Sequence, residues 1–187
     1  MLRFAMLTVA LALLTTNPAA AQDKNPVVLI ETSKGKIKIE LFADKAPVTV
    51  KNFLKYVEDK HYDDTVFHRV ISDFMIQGGG MTADLKEKKT REPIKNESDN
   101  GLSNQRGTIA MARTNQPNSA TSQFYINVKD NNFLDRANAN DGVGYCVFGR
   151  VIDGMDVVDA IRQVQTDAMD VPVEAVVIKS VRLLDGK

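Results

Sequence analysis

Phe67-His68-Arg69-Val70-Ile71-Ser72-Asp73-Phe74-Met75-Ile76-Gln77-Gly78-Gly79 is the stretch that decides the fold. Two apolar runs, each rich in strand-forming residues, flank the turn pair Ser72-Asp73. They read as two strands, Val66 to Ile71 and Phe74 to Gln77. Period-two geometry puts Phe67, Arg69 and Ile71 on one face of the first, and Met75 with Gln77 on one face of the second. A permanent cation thus sits inside an apolar run, next to a large aromatic and a methionine. On chemistry alone the favoured reading is a core strand whose arginine snorkels to water.

Outward from this stretch the pattern repeats. Val27-Val28-Leu29-Ile30 is a short buried-strand candidate. Ser33-Lys34-Gly35 supplies a turn, and Lys36-Ile37-Lys38-Ile39-Glu40-Leu41 alternates polar and apolar, pairing back as a hairpin. Pro47 stands ahead of Val50, Phe53, Leu54 and Val57, an amphipathic helix with proline in its first turn that ends near Asp59-Lys60. Residues 80–106 are polar and charged, a long surface loop. Thr108 to Met111, Gln123 to Val128 and Tyr145 to Val151 read as further strands. Met155, Val158, Ile161 and Arg162 fit a second short helix, and Val173 to Leu184 a last strand. Many short strands with hairpin turns and two helices predict a mainly β fold, a closed antiparallel barrel capped by the helices.

A chain of 187 residues fits one domain. Lys and Arg total 24, as do Asp and Glu, so neither a basic nucleic-acid surface nor an acidic solvating tail is present. Hydrophobic residues at 43% and charged residues at 26% suit a globular core. The start differs from the rest. Met1-Leu2-Arg3, the apolar run Phe4 to Leu14, and Ala19-Ala20-Ala21 have the form of a signal peptide. The run is about half of the ~20 residues that span a bilayer. Residues 1–21 are therefore expected to be a cleaved signal and residues 22–187 the mature domain, with a retained N-terminal helix as the alternative. No later segment is apolar enough to cross a membrane. The single cysteine, Cys146, excludes an internal disulfide and a multi-thiolate zinc site, and reads as a small buried hydrophobe.

Several familiar chemistries fail on their residues. Gly78-Gly79-Gly80 lacks the Lys and Ser/Thr of a phosphate loop. Ser33-Lys34-Gly35-Lys36 matches Ser-x-x-Lys by letters but lies in a hairpin turn. Asn138-Ala139-Asn140-Asp141-Gly142 has its glycine one place early for a calcium loop, and no closing Glu. Asn96-Glu97-Ser98 is a glycosylation sequon by letters only. Two histidines provide no evident nucleophile–base pair.

The run Phe67 to Gly79, together with Met111-Ala112-Arg113-Thr114, Ser122-Gln123-Phe124 and Val147-Phe148-Gly149, resembles the cyclophilin family of peptidyl-prolyl cis-trans isomerases. The motifs stand in the family's order over Val27 to about Leu184. Asn96-Glu97 with Asp99-Asn100-Gly101-Leu102 further resembles the exported bacterial branch. The resemblance implies an eight-stranded antiparallel barrel with two helices, and catalysis of X-Pro rotation without metal or cofactor. It implies Arg69 as the catalytic group and a proline pocket of Phe74, Met75, Tyr125 and Leu134. Gln77 and Gln123 would bind substrate backbone and orient Arg69. Ala112, Arg113 and Thr114 would form the extended-peptide groove, with Phe133 and Tyr145 at its rim, and His68 would act structurally or indirectly.

Three positions depart from the best-known members. Phe133 stands where many carry Trp, which removes an indole N–H donor and predicts weak cyclosporin binding. Tyr145 stands where they carry His. Tyr125 replaces a pocket Phe, and its hydroxyl needs a partner if buried. The expected partners are proline-containing peptides and unfolded exported proteins, not nucleic acid or membrane, and the expected state is a monomer. The signal implies the periplasm, with secretion as second choice. A peptide-binding chaperone or interaction module using the same groove stays open, as does a partner role for the charged loop 84–97.

Overall fold

A computed structural model describes residues 25–184; the expected signal peptide lies outside them. β1 (Val27–Thr32) and β2 (Gly35–Leu41) form the expected hairpin, in register from Val27↔Glu40 to Thr32↔Gly35. Thr32 Oγ1 closes the turn, donating to Gly35 O at 2.8 Å and accepting from Lys34 N at 3.0 Å. The helix α1 (Pro47–Glu58) follows, then β3 (Thr65–Ile71), β4 (Met75–Thr82), β5 (Thr108–Met111), β6 (Phe124–Asn127), β7 (Val147–Asp153), α2 (Met155–Arg162) and β8 (Val177–Leu184). A single 3₁₀ turn, Asn132–Leu134, interrupts the β6–β7 connection. The eight strands close into a barrel in the order β1-β2-β7-β5-β6-β4-β3-β8, and every neighbouring pair is antiparallel.

Some boundaries move from their sequence expectation. β4 runs on to Thr82, so the long loop starts later than residue 80. Its glycines, poor strand formers in isolation, are required there by crowding: a Cβ on Gly79 would lie 2.7 Å from the Phe124 ring, and Gly79 also sits at φ +84°. β8 begins at Val177 rather than Val173. The preceding residues form an irregular loop in which Val173 N donates to Gln165 O at 2.9 Å. Phe74 and Gln123 lie just outside their strands, as do Tyr145 and Cys146.

The barrel interior holds one large apolar cluster. Phe53 of α1 packs against Tyr62, Phe124 and Phe148 with ring centroids 5.0, 5.8 and 5.3 Å away. Val158 and Ile161 of α2 join the same cluster. α1 lacks a side-chain cap of its own. Glu97, far along the chain, serves instead: its carboxylate accepts from Val48 N at 3.1 Å, Thr49 N at 2.8 Å and Thr49 Oγ1 at 2.7 Å. A carboxylate there also complements the helix dipole. The charged loop is therefore stitched down. Arg91 N donates to Tyr56 Oη at 2.8 Å, and Ile94 bridges Ala120.

Candidate active site

The site starts from an irregularity in β3. Phe67 pairs with Gly78 and Arg69 with Gln77, so His68 is one residue more than β4 can match. This bulge breaks the period-two pattern. Phe67 turns into the barrel core, edge-on to Phe124 at 6.2 Å, whereas Arg69 is exposed. The expectation that Phe67 and Arg69 share a face is thus corrected, because the extra residue re-aims the chain between them. Arg69 and Ile71 stay together on the outside. His68 is buried, and its Nδ1 has no partner among the described residues. Burial lowers its pKa, so the ring is held neutral.

Beside Arg69 lies a cavity of about 250 Å³ lined by Arg69, Phe74, Met75, Gln77, Ala112, Arg113, Tyr125, Leu134 and Tyr145. These are nine of the residues singled out from sequence. Apolar walls come from Met75 and Tyr125, which pair with neighbours across β4 and β6, and from Leu134 on the 3₁₀ turn. Gln123 does not line the cavity but stands directly behind: Gln77 Nε2 donates to Gln123 Oε1 at 2.9 Å. Gln123 fits there because residue 80 is glycine; a Cβ would meet its side chain at 2.4 Å. Phe133 also stays outside the cavity. It stacks on Phe74 at 5.7 Å and is 56% exposed, an outer extension of the apolar wall. Thr114 is exposed beyond Ala112 and bonds Ser119 Oγ through both its N–H and its hydroxyl, each at 2.9 Å.

Arg113, expected in the groove, lines the cavity. Its side chain is only 3% exposed and its guanidinium is engaged within the protein. It donates to Gly144 O from Nε at 3.1 Å and Nη2 at 3.0 Å, to Thr114 O at 3.0 Å, and to the Asp141 carboxylate. It also sits 4.4 Å from the Tyr145 ring centroid. Arg113 therefore builds the wall and props Tyr145 rather than offering its charge to a ligand. Asp141 is held well below the ordinary carboxylate range, first by the N–H groups of Gly144 and Val143, then by Arg113.

Behind the pocket runs a polar network absent from the sequence reading. The buried Tyr125 hydroxyl donates to Asn104 Oδ1 at 2.8 Å, which satisfies the partner its burial demands. Asn104 donates from N and Nδ2 to Asp135 Oδ1 at 2.7 and 2.9 Å. Asn127 Nδ2 reaches Asn104 Oδ1 at 3.3 Å, and Asn131 Nδ2 bonds Asn127 Oδ1 and Phe74 O, both at 2.8 Å. Three pocket positions are so tied together: Tyr125 directly, Leu134 through its neighbour Asp135, and Phe74 through its carbonyl. The available signal was Asn127, a polar residue sharing the Tyr125 face of an apolar strand. Burial pushes the Tyr125 hydroxyl far above its ordinary pKa, so it remains a donor. It likewise pushes the Cys146 thiol up to about 11, consistent with an inert buried hydrophobe. Among the described residues no three His, Cys, Asp or Glu side chains converge as metal ligands.

What this arrangement can do is bind an extended, partly apolar chain in a walled pocket and present one cation to it. The chain is similar to known proteins over most of its length. The family model described as cyclophilin type peptidyl-prolyl cis-trans isomerase/CLD matches residues 27–183. Peptidyl-prolyl cis-trans isomerase B of Escherichia coli (strain K12) is 56% identical over 160 residues, 83% of this chain and 98% of the relative. Peptidyl-prolyl cis-trans isomerase A of Dickeya dadantii (strain 3937) is 50% identical over 184 residues, 96% of each. A crystal structure of a Cryptosporidium parvum cyclophilin type isomerase superposes with a TM-score of 0.74 at 27% identity, covering 87% of this chain and 99% of that one. The same Cryptosporidium protein in the presence of the dipeptide Ala-Pro gives 0.73 at 28% identity, covering 86% and 99%.

Proposed function

The chain belongs to the cyclophilin-type peptidyl-prolyl cis-trans isomerase family and is an isomerase of that type, and from this we propose that it speeds X-Pro rotation in exported proteins as they fold, with Arg69 as its catalytic group. The observation that carries the proposal is the pairing of an apolar pocket with one exposed cation at its edge.

The reaction is rotation about the amide preceding proline. Its barrier of ~18–20 kcal/mol comes from amide resonance, and the uncatalysed step takes tens to hundreds of seconds. In the twisted state the proline nitrogen is no longer conjugated, and its lone pair accepts a hydrogen bond. Arg69 donates to that nitrogen. The planar ground state offers no such acceptor, so the interaction is differential and accelerates the rotation. A charge-assisted hydrogen bond contributes about 1.5–3 kcal/mol, one to two decades of rate. The remainder comes from gripping the ring. Phe74, Met75, Tyr125 and Leu134 hold the pyrrolidine while the preceding carbonyl turns. Gln77, backed by Gln123, and the groove at Ala112 and Thr114 align the flanking peptide. No proton moves and no covalent bond forms.

Substrates of this reading are proline-containing peptides, in line with the Ala-Pro dipeptide of the Cryptosporidium structure. The signal-like residues 1–21 support a periplasmic enzyme of the exported branch, and the relatives support a bacterial one. Weak cyclosporin binding follows from Phe133, which fills the rim without a hydrogen-bond donor.

Exchange NMR on an Ala-Pro peptide tests the reading without a coupled protease. Wild type should speed cis/trans exchange, and Arg69→Ala should lose about ten- to hundredfold of that rate while binding of the peptide persists. Peptide binding with no faster exchange in either protein would move the chain to the peptide-binding class.

A further inference from the structure

Arg69 has one charged partner among the described residues, and nothing assigns that partner a role. Asp170 Oδ2 lies 3.7 Å from Arg69 Nε. Asp170 belongs to the loop between α2 and β8, and its placement is built rather than incidental. β3 pairs with β8 only at Thr65 and Val66. Beyond that point the loop takes over from β8. Phe67 N donates to Val176 O at 2.9 Å and Val70 N to Asp170 O at 2.8 Å. These two bonds bracket His68 and Arg69, the bulge and the cation. The loop is itself tightly folded: Asp167 Oδ1 accepts from Met169 N at 2.8 Å and Val171 N at 3.0 Å, and Thr166 bridges Pro172. This holds Asp170 in the left-handed region at φ +64°, a conformation that Asp and Asn tolerate better than most residues.

We infer that Asp170 is a positioning residue for the isomerase reaction: its carboxylate, at ion-pair rather than hydrogen-bond distance, draws the Nε edge of the Arg69 guanidinium toward itself and leaves the N–H groups free for the twisted amide. The inference rests on the reading of Arg69 given above. A guanidinium holds its five N–H donors in a rigid planar fork, so a charge that attracts one edge biases the direction of the others. Both side chains are nearly half exposed, so the pair contributes little to stability. Its consequence is orientational, on a long side chain that is otherwise unrestrained. The opposite outcome is equally physical: the Asp170 charge partly offsets the field of Arg69, and if that effect governed, removing it would accelerate the reaction.

The test is Asp170→Asn, which keeps shape and left-handed tolerance but removes the charge. With an uncharged Ala-Pro peptide, exchange NMR should show kcat lowered about two- to fivefold and KM within about twofold. In the Arg69→Ala background the same change should do nothing further. Wild-type kcat should also fall between ~0.01 M and ~1 M salt, where the screening length drops from about 30 Å to about 3 Å, and Asp170→Asn should be flat. The salt series on wild type stands by itself if the variant folds poorly. Unchanged or raised kcat in Asp170→Asn, or a salt-independent wild type, overturns the inference while leaving Arg69 in place. Full activity in Arg69→Ala overturns the reading of Arg69 and this inference with it.

Discussion

The two faces of strands β3 to β7 differ although they share one backbone. Ile76, Ile109, Met111, Phe124, Ile126 and Phe148 point into the barrel and join a sealed apolar cluster. Their neighbours Met75, Ala110, Tyr125 and Val147 point outward and form a second, smaller cluster with Ile71, Phe74, Leu102, Ala112, Leu134 and Tyr145. The inner face is filled by aromatic rings from α1 and the strands. The outer face is roofed by loops and left with a cavity. Close packing on one side makes the strands a rigid plate, and the site uses the rigidity without filling the other side.

Substitutions on the inner face should therefore act on stability, and those on the outer face on turnover. The largest expected effect is Phe124→Ala. It removes a ring that meets Phe53, Tyr62 and Phe67, and should lower unfolding stability by about 3–5 kcal/mol in a denaturant titration. A loss below about 1 kcal/mol would mean that the inner face is not the close-packed plate described.

The same contrast decides what could be read in advance. Alternation along Lys36–Leu41, proline ahead of α1 and the apolar spacing within it are local, and sequence shows them. The bulge at His68 is not local, because it exists only relative to the register of β4. Reading β3 alone puts Phe67 and Arg69 on one side; the partner strand separates them. The cap of α1 by Glu97 and the bond from Tyr125 to Asn104 are long-range in the same way, joining segments 48 and 21 residues apart. The site residues themselves were legible because their motifs resemble a family's. Their supports, Asn104, Asp135 and Asp170, lie in polar loops where composition says only that the chain is solvated.

A smaller effect should follow from Asn104→Ala on the outer side. It leaves the buried Tyr125 hydroxyl without its acceptor and takes the side-chain donor from Asp135. Stability should fall by about 1–3 kcal/mol, and turnover should fall as well because Tyr125 and Leu134 lose their common anchor. Tyr125→Phe is milder, since it removes donor and hydroxyl together: about 0.5–1.5 kcal/mol, with exchange rates within about threefold of wild type. If Asn104→Ala cost stability alone, with the exchange rate untouched, the network would be a fold element and not part of the pocket.

The smallest effect distinguishes the two regions by proton. His61 packs among Tyr56 and Tyr62 at the margin of the inner cluster, and His68 sits in the bulge beside the site. Burial lowers the pKa of both, and the nearby cations Lys88 and Arg69 respectively act in the same direction. In the unfolded chain each ring titrates near 6.5. Below that pH the unfolded state binds protons that the folded state resists, so stability is complete above about pH 6.5 and declines as pH falls toward the lowered folded values. His61→Gln and His68→Gln should each flatten part of that slope in thermal unfolding followed from about pH 7.5 to 5. A slope that survives both substitutions would belong to other groups, and the histidines would then be in contact with water in the folded protein. A slope abolished by His68→Gln alone would place the acid-sensitive point at the bulge, on the side of the strands that carries Arg69.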